Sequence, residues 1–366
     1  MTHQADLAAL WWQGVRAVQG KPAVIMAIEA HRVSKPDQIL AVGKAAASMA
    51  AAAYEVFGPV PTQIVTKYHH IDDVPPHATL IEAAHPVPDA ASLHAGKALR
   101  DTVQACKSDA HLLMLVSGGA SSLAEDLPAG MTLADLAQRT ETMLASGADI
   151  HAMNAQRREI SQIKGGKLLA RFGGTRVTSL AISDVEGDAL GVIGSGIGDA
   201  PLDANFSFDA HIVANNHFAR MAVAAASDLP VLTNAETLYD NVEILAPRIA
   251  TQLLNGEKGL HVLGGEPTVV LPKNPGKGGR NMALALLLAR EIAGSDGLRI
   301  LVAGTDGTDG PTDAAGALID GNTWDDSAQD AIDRADATPW LDARGALFRS
   351  GPTGTNVMDL LIAERF

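Results

Sequence analysis

Three aspartates, Asp306, Asp309 and Asp313, stand among glycines and threonines in GTDGTDGPTDAAGA, residues 304 to 317, directly after the apolar run LRILVA. A loop that only had to reverse the chain needs a glycine or a proline and no repeated carboxylates. Carboxylates at a strand end can hold a divalent cation, its waters or a ligand's hydroxyls, while glycines allow close backbone approach. The spacing does not match a calcium EF-hand, whose alternate acidic or amide positions lead to a glycine and a later glutamate. Magnesium or ribose hydroxyls suit this loop better.

Four other junctions pair a short apolar run with chemically equipped residues. In ILAVGKAAAS, Gly43 ends the run and Lys44 falls in the first turn of a helical stretch, where a lysine opposes the helix dipole by about 0.3–1 kcal/mol. An anion would remove that conflict; a solvated surface lysine is the alternative. LLMLVSGGASS offers Gly118 and Gly119 for close approach and the hydroxyls of Ser117, Ser121 and Ser122, which suits a phosphate or carboxylate and equally a capped turn. It lacks the G-x-S-x-G elbow of a serine hydrolase. SLAISDVEGD sets Asp184 at a strand end, able to hold magnesium, orient a substrate hydroxyl or cap a turn; Glu186 and Asp188 follow without an assigned role. In PKNPGKGGRNMALALLLARE, Lys277 and Arg280 come to a helix start, where Arg280 could grip phosphate or carboxylate oxygens in two-point fashion.

The elements that must position these residues alternate. From residue 38, short β-like runs (QILAV, QIVT, TLIEAA, HLLMLV) are interleaved with helix-like ones, implying crossover units and a largely parallel sheet. A helix-rich passage, TLADLAQRTETMLASGADIHAMNAQRREISQIKGGKLLARF, precedes the run TRVTSLAI. A second alternating series starts at HIVANN and continues through PVLT, GLHVLGGE, TVVL and LRILVA. The glycine-rich stretch 191–209 between the two series reads as a linker. The expected organisation is therefore two α/β domains, 1–208 and 209–351, with 352–366 turning back onto the first.

Composition narrows the partners. The 366 residues are 47% hydrophobic and 19% charged, a globular balance, and 28 basic against 42 acidic side chains leave a net charge of −14 that repels nucleic acid. The single Cys106 cannot form an intrachain disulfide, and MTHQADLAALWW lacks the pattern of a signal peptide, so a cytoplasmic location is expected. No run is apolar and long enough to suggest a membrane span. Neither G-x-x-x-x-G-K-[ST] nor a G-x-G-x-x-G opening a helix occurs, and no His or Cys grouping has zinc spacing.

Taken in order, VGKAA, TKYHH, HPVPDAAS, LVSGGASSL, DIHAMNAQRREISQIKGGKLL, ISDVEGD, GGEPTV, GKGGRN and AGTDGTDGPTDAAGA make the chain resemble the glycerate 2-kinase family, many of whose members carry the label hydroxypyruvate reductase. The resemblance implies a larger Rossmann-like amino-terminal domain, a smaller carboxyl-terminal MOFRL domain and an active site in the cleft between them. It implies ATP- and Mg²⁺-dependent phosphorylation of D-glycerate to 2-phosphoglycerate by a monomer or homodimer. On it, Lys44 and Arg280 look catalytic; Ser117, Gly118, Gly119, Ser121 and Asp184 look substrate-binding. Gly264, Gly265, Glu266, Lys277, Gly278, Thr305 and Asp306 look nucleotide-binding, and Asp306 and Asp309 look like metal ligands. The alternatives are a reductase using NAD(P)H on hydroxypyruvate and a non-catalytic binding protein on the same fold.

Overall fold

The computed structural model describes residues 6–71, 73–145, 155 and 157–366, which fall into two compact units. One comprises 19–215 with 354–356; the other comprises the chain up to Val18 with 216–353 and 357–366. Part of the helix-rich passage, 146–154 and 156, lies outside the described residues.

The first unit is built on a sheet of six described strands: β1 (Gln38–Val42), β2 (Thr62–Lys67), β3 (Thr79–Ala83), β4 (His111–Val116), β5 (Arg176–Ile182) and β6 (Ser207–Ala214). All pair in parallel, in the order β3-β2-β1-β4-β5-β6. This is the doubly wound arrangement, and the strand order reverses between β1 and β4, where the loops at their carboxyl ends diverge and leave a crevice. Strand β4 is buried along its whole length, as a central parallel strand covered on both faces must be. Leu40, Val42, Leu112, Met114, Val116 and Ala181 form part of one core with Leu99 and Val103 of the helix Ala90–Gln104. A capping box starts that helix: Asp89 accepts from the Ser92 N–H at 3.0 Å, and the Ser92 hydroxyl receives the Asp89 N–H.

The second unit carries β7 (Val231–Glu236), β8 (Gly259–Gly265), β9 (Leu298–Gly304), β10 (Gly316–Asp320), β11 (Leu347–Phe348) and β12 (Asp359–Arg365), ordered β11-β10-β9-β12-β8-β7. Only β7 and β8 pair in parallel; β12 runs antiparallel to both neighbours. Successive residues of β12 face opposite ways, as the strand period requires. Leu361 and Ala363 join the core formed with the helices Val242–Asn255 and Arg280–Glu291. Leu360 instead meets Gly14 of the helix Leu7–Ala17, where an added Cβ would lie 3.3 Å from it and 2.8 Å from Val223.

These assignments correct the expected boundaries. Residues 191–209 are no linker: Ile193, Gly194, Ser195 and Gly196 are buried, and a Cβ on Gly198 would lie 2.5 Å from Val116. HIVANN supplies the second half of the last strand of the first sheet and does not open the second unit. The first helix belongs to the second unit, packing on Asn216–Ala225 and β12, with Trp11 edge-on to Phe348 at 5.0 Å. From the closing segment only Gly354–Asn356 group with the first unit. TVVL makes one isolated bridge, Asn241 to Thr268, and no strand, leaving Val270 and Leu271 exposed.

Candidate active site

At the β1/β4 switch point the first unit gathers most of the residues expected there. The Ser117 N–H donates to Val42 O at 3.0 Å, the Lys44 N–H donates to Gly118 O at 2.9 Å, and the Ala45 N–H donates to the Ser117 hydroxyl at 3.0 Å. The two strand-end loops are thus stitched together. Gly43, at φ +130°, has no room for a side chain, since a Cβ would lie 2.2 Å from Ser117 Oγ. Lys44 is half-buried and sits in the turn before the helix Ala46–Phe57, not in its first turn as expected.

Asp184 closes the other side, from the end of β5. A Cβ on Gly118 would lie 2.1 Å from Asp184 Oδ2, so glycine is what lets the carboxylate lie against this loop. Asn356 donates to the same oxygen at 3.3 Å. Gly119, at φ +84°, would place a Cβ 3.3 Å from both Lys44 Cγ and His85 Nε2. Ser121 shares a 2.8 Å hydroxyl–hydroxyl contact with Ser195. Of the five expected substrate-binding residues, Ser117 is the one turned to structure: it is 1% exposed and its oxygen accepts the Ala45 N–H.

His85, Ser195 and Asn356 were not singled out as site residues by the sequence. Ser195 lies in GSGIG, where Gly194 at φ +54° and Ser195 at φ +59° fold the chain under Ser121. Consecutive glycines around a serine were the available signal. Nothing marked Asn356 beyond its turn-rich surroundings.

In the second unit, Arg280 opens the helix Arg280–Glu291. Its Nε donates to Asp359 Oδ2 at 2.6 Å and its Nη1 to Glu266 Oε1 at 2.6 Å, and its side chain stays 34% exposed. Burial alone would ease its proton off, but the carboxylates of Asp359 and Glu266 outweigh this and hold the guanidinium charged. Lys277 is exposed, with its backbone N–H on Asp336 at 2.7 Å. Asp306 folds into an Asx turn, accepting from the Thr308 N–H and hydroxyl at 3.0 Å each.

Several expected ligand contacts prove to be packing. Gly264 faces Asn216, whose Oδ1 would be 1.7 Å from a Cβ, and Gly265 at φ +134° lies against the Leu238 backbone. A Cβ on Gly278 would meet Ala335 O at 3.3 Å. Thr305 is fully buried, its hydroxyl donating to Met358 O at 2.6 Å and accepting the Val357 N–H at 2.8 Å. Asp309, expected to bind metal, instead caps the Arg280–Glu291 helix from a distant loop: its oxygens accept the N–H groups of Asn281 at 3.1 Å and Met282 at 2.8 Å. No cluster of three or more His, Cys, Asp or Glu that could cage a metal occurs among the described residues.

Asp309 is 2% exposed, and burial pushes its pKa up to about 7 against the pull of those two N–H donors. A carboxyl whose folded pKa is raised contributes stability that is fully present below its unfolded pKa near 3.8 and lost as pH rises through about 7. Asp309→Asn should therefore flatten the fall in melting temperature between pH 5 and pH 8. It should leave the activating concentration of divalent metal unchanged; a several-fold rise would restore Asp309 as a ligand.

Residues 6–223 match the model of a domain of unknown function, DUF4147, and 259–359 match the MOFRL family. The chain is 34% identical to a D-glycerate 2-kinase of Thermotoga maritima over 88% of its own length and 89% of the relative's. It is also 34% identical to a putative hydroxypyruvate reductase of Agrobacterium vitis, over 88% and 97%. A crystal structure of a glycerate kinase from Thermotoga maritima superposes with a TM-score of 0.87 at 30% identity, covering 98% of each chain.

Proposed function

Because the chain belongs to the glycerate 2-kinase family, with its DUF4147 and MOFRL domains, we propose that it transfers the terminal phosphoryl group of ATP to the 2-hydroxyl of D-glycerate. The observation that carries this reading is the grouping of Lys44, Gly118, Gly119, Ser121 and Asp184 where the strand order reverses. Phosphoryl transfer asks a protein mainly for positioning and for charge neutralisation on the transferring group.

In this mechanism Asp184 orients the acceptor hydroxyl and takes its proton as the new O–P bond forms and the bond to the leaving ADP breaks. Lys44 and Arg280 are the cations assigned here to holding negative charge on phosphoryl oxygens. Glu266 and Asp359 fix the Arg280 fork in one orientation, so less rotamer freedom is lost when it meets an anion. Lys277 supplies further positive charge for the nucleotide phosphates. Magnesium would neutralise phosphate charge; with one or two carboxylates and the nucleotide as its usual partners, Asp306 is the residue here that fits it. A cytoplasmic site of action accords with the nucleotide requirement.

The sheet order also occurs in dinucleotide-dependent enzymes, but fold alone does not assign chemistry. The loop after β1, VGKAAAS, lacks the glycine fingerprint that lets a pyrophosphate approach. We therefore do not retain the reductase. Incubation with D-glycerate and MgATP should give phosphoglycerate and ADP, whereas hydroxypyruvate and NADH should be left unchanged. Excess EDTA should abolish turnover, because uncomplexed triphosphate and acidic side chains repel each other. Full turnover in EDTA, or oxidation of NADH, would refute the scheme.

No helix among the described residues is long and apolar enough to cross a membrane.

A further inference from the structure

Beside Gly119 and Asp184 the first unit opens into a cavity of about 490 Å³ whose lining also includes Arg157, Lys164, Glu125 and Ser195. None of these four has a part in the phosphoryl chemistry above. Lys164 and Glu125 form a buried ion pair, Nζ on Oε2, with side chains 2% and 1% exposed. The other Glu125 oxygen accepts the Asp126 N–H at 2.9 Å. Lys164 is thus committed to a carboxylate of the protein itself.

Arg157 is differently placed. It is half-buried, it faces the same cavity, and no carboxylate pairs with it among the described residues. Its positive charge acts on Lys164 nearby, adding to the effect of burial in loosening the lysine's proton, against the hold of Glu125. Two cations in one lining with a single internal carboxylate leave room for a second negative charge, and a guanidinium receives a carboxylate through two parallel hydrogen bonds. Ser121 and Ser195 add a donor: in a hydroxyl pair one proton is used between the two oxygens and the other remains to point elsewhere. The lining is also held in register, since the N–H groups of Gly165 and Gly166 donate to Ser195 O at 2.9 Å and Gly196 O at 3.0 Å.

We propose that Arg157 anchors the carboxylate of the acceptor, aided by the Ser121–Ser195 hydroxyls, and that the Lys164–Glu125 pair positions this lining. This selects a short 2-hydroxy acid: the carboxylate lies on Arg157 while the adjacent hydroxyl meets Asp184, which lines the same cavity. The inference rests on the kinase reading for the identity of the acid.

The test compares wild type with Arg157→Ala and Arg157→Lys. Arg157→Ala should raise the KM for D-glycerate on the order of 10- to 100-fold, the scale of one hydrogen-bonded charge contact, with the KM for ATP unchanged. The wild-type preference for D-glycerate over the neutral D-glyceramide should shrink by the same factor, and Arg157→Lys should recover part of it. An unchanged KM and preference in a variant that melts like wild type would overturn the anchor. So would a rise confined to the KM for ATP, which would give the cavity to the donor. If the alanine variant fails to fold, the lysine variant must still show the loss. Should wild type not phosphorylate D-glycerate, the kinase reading fails on its own terms. Calorimetric titration of D-glycerate without nucleotide then decides the anchor: equal affinity for wild type and Arg157→Ala, or no binding to either, rejects it.

Discussion

Replacing Lys44 or Arg280 by alanine should lower kcat by about 10²-fold or more, the scale of removing one preorganised electrostatic donor from a transition state. The Lys44 backbone and the Arg280 side chain are held by the fold ahead of any substrate. Lys44 follows Gly43 in a loop tied to the β4 loop through its own N–H, and the Arg280 fork is fixed by two carboxylates. The two variants should differ in stability. Lys44→Ala removes a half-buried cation from the turn before a helix and should shift stability by no more than about 0.5 kcal/mol. Arg280→Ala leaves Asp359, 2% exposed, with Asn281 as its remaining side-chain donor at 2.9 Å. That should cost about 1–3 kcal/mol. Steady-state kinetics and melting curves on both variants separate the effects. If both cations act on one phosphoryl group, the double variant should lose far less than the product of the single losses. Retention of kcat within a few-fold in both single variants would remove them from the chemistry.

The largest loss of stability should come from Lys164→Met. It leaves the Glu125 carboxylate buried with the Asp126 N–H at 2.9 Å as its one remaining donor among the described residues, an uncompensated charge in the interior. Breaking a buried pair in this way typically costs about 3–5 kcal/mol. For a unit of this size that corresponds to a fall in melting temperature of roughly 10 °C. Glu125→Leu combined with Lys164→Met should return most of it, because a well-packed apolar pair avoids the desolvation cost that the ions bear. A single variant as stable as its parent would show that water reaches the pair.

The position of the strand-end loops was legible because it depends on local pattern. Apolar runs followed by Gly43 and Lys44, by the Ser117–Ser122 loop or by Ser183 and Asp184 mark the carboxyl edge of a parallel sheet, and the fold places all three loops there. Burial and partnership were not legible. Thr305 and Asp309 stand in the same acidic loop as Asp306, yet one closes on Met358 and the other caps a helix that begins 29 residues earlier, at Arg280. Likewise, a helical period shows which face of Leu7–Ala17 is apolar but not which sheet will cover it. The antiparallel entry of β12 between β8 and β9 depends on pairing across about 100 residues to β8 and about 60 to β9. Ser195 was passed over because residues 191–209 are polar and glycine-rich, a composition shared by linkers and by tight buried turns.

Phosphorus NMR of the product made from D-glycerate and MgATP tests the central claim most directly. The account predicts a single phosphomonoester signal coupled to the one proton on C2, the signature of 2-phosphoglycerate. A signal coupled to the two protons on C3, or no phosphomonoester at all, would contradict it.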